Sequence, residues 1–132
     1  MLVNLDFQSD IPIYLQLKNQ IIEGIATGQL KKGQPLPSVR QFAEDLGINL
    51  HTVNKTYTLL KQDGFIQVHR QKGVVVNPEQ GPTATEEYIK MLHQELHPMI
   101  AEAFCRGMSE GDFNKVCNEV FEGLKKNGGD KK

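Results

Sequence analysis

Between Ser38 and Gln62 the sequence writes two short amphipathic helices with only a few residues between them and Gly47 at the joint. Ser38 is placed to cap the first, because a hydroxyl at that position accepts a backbone N–H that the opening turn leaves free. Gln41, three residues on, completes a capping box. Val39, Phe42, Ala43 and Leu46 then recur at helical spacing as a buried face. Gly47 stops the helix, since glycine enters the left-handed conformation without a Cβ penalty. Asn49 caps the second helix, whose inner face is Val53, Thr56, Tyr57 and Leu60 and whose outer face carries His51, Thr52, Asn54, Lys55 and Thr58. Two helices this short and this close must cross and pack on each other, which is the helix-turn-helix arrangement.

The flanking segments extend that arrangement. Val3, Leu5 and Phe7 alternate with polar residues, predicting an extended arm over residues 1–10. Pro12 suits the first turn of a helix, and Tyr14, Leu17, Ile21 and Ile25, widened by Ile22, stripe that helix until Gly28 closes it. Leu30 to Pro37 reads as a loop. After the turn signal Asp63-Gly64, Phe65, Ile66 and Val68 read as one strand and Val74, Val75 and Val76 as its return, with the basic tip Arg70, Gln71, Lys72 and Gly73 between them. Residues 1–77 are therefore expected to form a winged helix-turn-helix domain with an N-terminal arm.

Residues 78–82 read as a linker. Thr83 and Glu86 suggest a capping box that opens a helix striped by Ile89, Leu92, Leu96, Met99, Ile100 and Ala103 up to about Gly107. Ser109 and Asp112 open a last helix striped by Phe113, Val116, Cys117, Val120, Phe121 and Leu124. Two helices in residues 83–126 cannot bury both stripes alone. Pairing with a second copy would bury them, so Leu92, Leu96, Met99, Ile100, Ala103, Phe113, Val116, Val120, Phe121 and Leu124 are the expected dimerisation residues. Residues 127–132 are expected to form a disordered tail. The fold class is mainly α with a small β-hairpin: a winged helix-turn-helix domain followed by a short two-helix dimerisation domain.

Charge and composition narrow the function. Among 132 residues the net charge is −1, but residues 1–77 hold eight bases against six acids, a net +2, and residues 78–132 hold seven against ten, a net −3. A mildly basic half and an acidic half suit a nucleic-acid reader joined to a partner-facing domain. Cys105 and Cys117 are too few for a disulfide or zinc framework and read as reduced thiols. No apolar run reaches the ~20 residues of a membrane helix and no signal peptide is visible, so a cytoplasmic location is expected. His93 and His97 share a helix face, but a metal needs a further ligand and Glu95 lies off that face. They read as surface or interface histidines, and neither metal nor cofactor is expected. No nucleophile–base pair, phosphate-cradling loop or paired carboxylate site marks an enzyme.

The order of capped helix, glycine turn, polar helix and basic hairpin points to double-stranded DNA. The second helix of such a pair enters the major groove. There Asn54 suits a bidentate contact to adenine, His51 and Thr52 suit base edges or phosphates, and Lys55 suits a phosphate. Arg40 lies where the first helix of the pair crosses the backbone, and the tip Arg70–Lys72 suits the minor groove or a phosphate.

Residues 11–77 also resemble the DNA-binding domain of the GntR family. The resemblance rests on Gln34-Pro-Leu-Pro-Ser-Val-Arg40, Phe42-Ala43, Leu46-Gly47-Ile48-Asn49, Thr52-Val53 and Leu60 with Asp63-Gly64-Phe65-Ile66. The opening Ile11-Pro12-Ile13-Tyr14-Leu15-Gln16 and the short tail resemble its YtrA-like subfamily, whose members carry a compact two-helix dimerisation domain. The resemblance implies that Arg40 binds phosphate or base and that Asn49, His51, Thr52 and Asn54 lie at the groove, with Arg70, Gln71, Lys72 and Gly73 in the wing; Ser38 and Lys55 complete the expected DNA-binding set. The resemblance further implies a homodimeric regulator of transcription, read as a repressor, on an inverted-repeat operator, with a small-molecule effector as a candidate further partner. Met91, Met99 and Met108 read first as packing residues, with the lining of a small effector pocket at the dimer interface as the alternative. The chain departs from the pattern at Asn49-Leu50-His51-Thr52, where relatives often have Asn-Pro-Asn-Thr, and at Gln71-Lys72-Gly73-Val74, where relatives usually have a glycine two residues before Gly73. A protein-interaction module built on the same winged helix is the alternative reading.

Overall fold

Pro12 ends an extended stretch and starts α1 (Ile13–Ala26), its carbonyl accepting from the backbone of Leu15 and Gln16, both at 3.0 Å. The computed structural model, which describes residues 3–127, continues with α2 (Val39–Leu46), α3 (Leu50–Gln62), β1 (Ile66–His69), β2 (Gly73–Val76), α4 (Glu86–Cys105) and α5 (Glu110–Asn127). It divides into two compact units, the first running to Pro82 and the second starting at Thr83. Residues 78–82, read as a linker, group with the first unit, and the Asn77 side chain accepts from the Glu79 N–H at 2.9 Å.

The first unit's core joins all of its elements. Leu17 and Ile21 of α1, Phe42 and Ala43 of α2, Val53, Tyr57 and Leu60 of α3, Ile66 of β1 and Val76 of β2 are buried together with Leu30 and Leu36 of the loop. The single buried polar residue of α3, Thr56, is satisfied there, its hydroxyl donating to the Tyr14 carbonyl at 2.9 Å. That bond fixes α3 against the first turn of α1.

Strands β1 and β2 pair antiparallel from Ile66↔Val76 to His69↔Gly73. The segment read as a plain loop is also part of this sheet. The Gly33 N–H donates to the Val76 carbonyl, the Val76 N–H to Gln34, and the Leu36 N–H to Val74, with Pro35 bridged to Val75. The outer edge of β2 is thus occupied, and the hairpin is held at its base on both sides.

Among its described residues the N-terminal arm forms no strand. Two glutamines of α1 take the place of a partner strand: Gln16 accepts from the Asp6 N–H at 2.8 Å and donates to the Asp6 and Ile11 carbonyls, while Gln20 accepts from the Asn4 N–H at 2.9 Å and donates to the Asn4 carbonyl. Val3 and Leu5 pack on the core, but Phe7 stays 62% exposed because the chain turns there.

In the second unit the cap of α4 is Thr85, whose hydroxyl accepts from the Tyr88 N–H at 3.1 Å. The expected Thr83–Glu86 box does not form, because the Thr83 carbonyl holds the Thr85 N–H and delays the helix. Glu86 and Glu87 then fall in the first turn, where carboxylates favour the positive helix end. The helix runs through Pro98. Gly107, at φ +87°, reverses the chain, and the Met108 N–H closes back on the Ala103 carbonyl at 3.0 Å. Ser109 and Asp112 form the reciprocal box at the start of α5, with bonds of 3.0 and 3.1 Å. Ala103 is buried within this helix pair, and Leu96, Phe113, Cys117 and Leu124 are half-buried. Asn127, expected in the tail, is still helical; residues 128–132 lie outside the described residues.

Candidate nucleic-acid interface

The interface is built from caps outward. At Ser38 the hydroxyl accepts from the Gln41 N–H at 3.1 Å, fixing the start of α2. Only half of the expected box is made, because the Gln41 amide turns along the helix to Asp45 at 2.6 Å. Arg40, in the first turn, is exposed. Gly47 closes α2 at φ +67°, and the Ile48 N–H reaches back to the Ala43 carbonyl at 3.0 Å, a Schellman closure.

Only Gly47, Ile48 and Asn49 separate the two helices. Asn49 caps α3, its side-chain oxygen accepting from the His51 N–H at 2.8 Å. Ile48 packs on the core that includes Val53, the hydrophobic staple that fixes the angle at which the chain enters α3. On the outer side His51, Asn54, Lys55 and Thr58 are exposed, whereas Thr52 is half-buried. The Lys55 ammonium lies 3.9 Å from the centre of the Tyr14 ring, a cation–π contact that holds the charge beside the N-terminal turn of α1.

Tyr57 locks α3 to the chain ahead of α2. Its ring packs at a 41° tilt to Phe42, with centroids 6.1 Å apart. Its hydroxyl donates to the Pro37 carbonyl at 2.7 Å, and burial pushes its pKa well above the ordinary range, so it stays a donor at any working pH.

After α3 the chain takes only Asp63, Gly64 and Phe65 to reach β1. Asn77 clamps this base: its side chain donates to the Gly64 carbonyl at 2.8 Å, and its backbone N–H donates to Phe65. The tip residues Arg70, Gln71, Lys72 and Gly73 are all exposed, and Gly73 sits at φ +74°, the left-handed conformation the tight return requires. The electrostatics of the site are those of exposed cations, Arg40, Arg70 and Lys72, set around a polar helix face.

Sequence reasoning therefore placed the outer face of α3 and the wing tip on the surface. It passed over three structural supports, namely the Gln16–Gln20 latch, the pairing of Gln34 and Leu36 with β2, and the Thr56–Tyr14 bond. Leu50, met in the sequence only as a departure from the family pattern, is an exposed apolar residue in the first turn of α3.

A helix-turn-helix backed by a third helix and followed by a clamped two-stranded wing defines a winged helix-turn-helix regulator of transcription. The model of the gntR family of bacterial regulatory proteins matches residues 13–76. The HTH-type transcriptional repressor YtrA of Bacillus subtilis (strain 168) is 30% identical over 124 residues, spanning 94% of this chain and 95% of the repressor. The solved structure of YtrA from Sulfolobus acidocaldarius, a GntR-family transcription factor, is 37% identical with a TM-score of 0.56, covering 93% of this chain and 99% of that one. The crystal structure of a transcriptional antiterminator from Listeria monocytogenes EGD-e shares the fold at a TM-score of 0.86 and 23% identity, covering 94% of this chain and 92% of its own. The chain belongs to the gntR family of bacterial regulatory proteins and is YtrA-like within it.

Proposed function

We propose that the protein is a homodimeric repressor that binds an inverted-repeat operator, with α3 in the major groove and the wing in the minor groove. The observation that carries this reading is the division of α3: Val53, Thr56, Tyr57 and Leu60 are buried, while His51 and Asn54 stand exposed on the opposite side and Lys55 is held beside the Tyr14 ring. Asn54 is the residue for an adenine edge, and His51 and Thr52 serve edges or phosphates nearby. Arg40, Lys55 and the cap residues Ser38 and Asn49 hold the backbone, and Arg70, Gln71, Lys72 and Gly73 follow the minor groove. The similarity to a transcriptional repressor supports the sign of regulation.

The second unit supports the dimer. Leu92, Met99, Ile100, Val116, Val120 and Phe121 are exposed on two helices whose own shared core is small. A second copy placed against them removes that surface from water and, by twofold symmetry, sets two reading helices about 34 Å apart on one side of the duplex. A hollow of about 330 Å³ lined by Ile100, Ala103, Phe104, Met108 and Phe113 is a seat for a small effector; of the three methionines singled out in the sequence only Met108 lines it.

Fluorescence anisotropy with DNA from upstream of the protein's own gene tests this function. Affinity should exceed that for scrambled DNA and fall steeply with salt, with a log–log slope of about −0.9 per phosphate neutralised. Salt-insensitive binding, or no preference for that DNA, assigns the winged helix to a protein partner instead.

A further inference from the structure

We propose that Leu50 reads a thymine through its 5-methyl group and so sets a base preference at the entry of α3 into the groove. The inference rests on the DNA-reading function above and names a contact within it.

Leu50 is the first residue of α3 and is 41% exposed, whereas Val53 and Leu60 of the same helix are fully buried. It belongs neither to the core nor to the apolar residues packed against it. Its neighbours already perform the local structural tasks: Asn49 caps the helix and Ile48 provides the staple. With 41% of its surface open, Leu50 keeps apolar surface available to a ligand at the helix start.

Its position gives it a different use. In helix-turn-helix docking the N-terminal residues of the second helix meet the base edges. Leu50 and Asn54 stand four apart, so they share one face, and both are exposed. Leucine has no donor or acceptor. Set against the amino group of cytosine or the oxygen and nitrogen of guanine, it would strip water from a polar edge and leave that edge unpaired. The thymine methyl is the one apolar feature in the major groove that it can cover without that penalty. An amide one turn on, suited to adenine, and a leucine at the entry, suited to thymine, together favour an A·T-containing half-site.

The test changes the DNA and leaves the protein intact. The full chain is used to select duplexes from a random library, and each thymine of the selected half-site is then replaced singly by deoxyuridine, which keeps base pairing and removes only the methyl. Wild-type affinity should fall about fourfold at one thymine in each half-site, the effect of exposing one methyl-sized apolar contact. Leu50→Ala should bind the thymine and deoxyuridine operators equally. Wild-type indifference to every replacement overturns the proposal, and so does a deoxyuridine penalty that survives in Leu50→Ala, which would move the contact to the methyl of Thr52. Failure to select any consensus is a separate outcome, and it overturns the DNA-reading function itself.

Discussion

The Tyr57 hydroxyl donates to the Pro37 carbonyl at 2.7 Å, which ties the inner face of α3 to the residue just before the cap of α2. The two helices of the reading unit are thereby fixed at both ends, by this bond and by the Gly47–Asn49 turn. Tyr57→Phe keeps the ring packed on Phe42 and removes only the bond, leaving the Pro37 carbonyl without this partner. Urea denaturation should show a loss of about 1–2 kcal/mol. Unchanged stability would mean that the bond is replaced by water at no cost.

Arg40 is exposed, and the structure gives it no partner side chain within the described residues on which the fold relies. Arg40→Ala should therefore leave thermal unfolding unchanged. Operator binding should weaken by roughly 1.5–3 kcal/mol, a charge-assisted hydrogen bond, and the salt slope should become shallower by about 0.9 if the partner is one phosphate. Full affinity in the variant removes Arg40 from the interface.

Phe121 is 61% exposed on α5 beside Val120, so a charge there disturbs no core of the isolated chain. Phe121→Asp should convert a dimer into a folded monomer, read by light scattering and circular dichroism together. Operator affinity should drop with it, because the two half-sites then act independently. A dimeric Phe121→Asp would place the contact elsewhere.

Asp112 lies in the box with Ser109, whose backbone N–H first and side-chain hydroxyl second hydrogen-bond its carboxylate and hold its pKa below the ordinary value of about 3.9. The folded state thus binds this proton less readily than the unfolded chain. The box's contribution is complete above the ordinary value and is lost as pH falls through it toward the lower folded value. An NMR titration should find the Asp112 midpoint below about 3.9, and Ser109→Ala should raise it. An unshifted midpoint would show that the box is open in solution.

Much of the reading unit was legible in the sequence because its signals are local. Ser38, Gly47 and Asn49 act within four residues of themselves, and the spacing of Val53, Thr56, Tyr57 and Leu60 is a property of one helix. What stayed hidden depends on distant partners. Nothing near Gln34 or Leu36 announces a strand, and two prolines argue for a loop; only β2, some forty residues on, supplies their bonds. Val3, Leu5 and Phe7 alternate as a strand would, yet the backbone of the intervening Asn4 and Asp6 is paired by the side chains of Gln20 and Gln16. At Thr83 and Thr85 two equally good caps compete, and a single backbone bond decides between them. Pro98 falls within a helical stripe whose apolar spacing outweighs the lost N–H. Leu50 was visible as a departure from the family pattern, but its exposure, which gives it a use, belongs to the folded chain.

In the proposed complex two copies place two α3 helices in successive major grooves on one side of an operator. A hydroxyl-radical footprint of the full chain on DNA upstream of its own gene tests it most directly. Two protected patches related by a dyad are expected, about one helical turn (~34 Å) apart on the same side of the duplex. A single protected patch, or uniform cleavage at protein concentrations that saturate the shift in anisotropy, would contradict it.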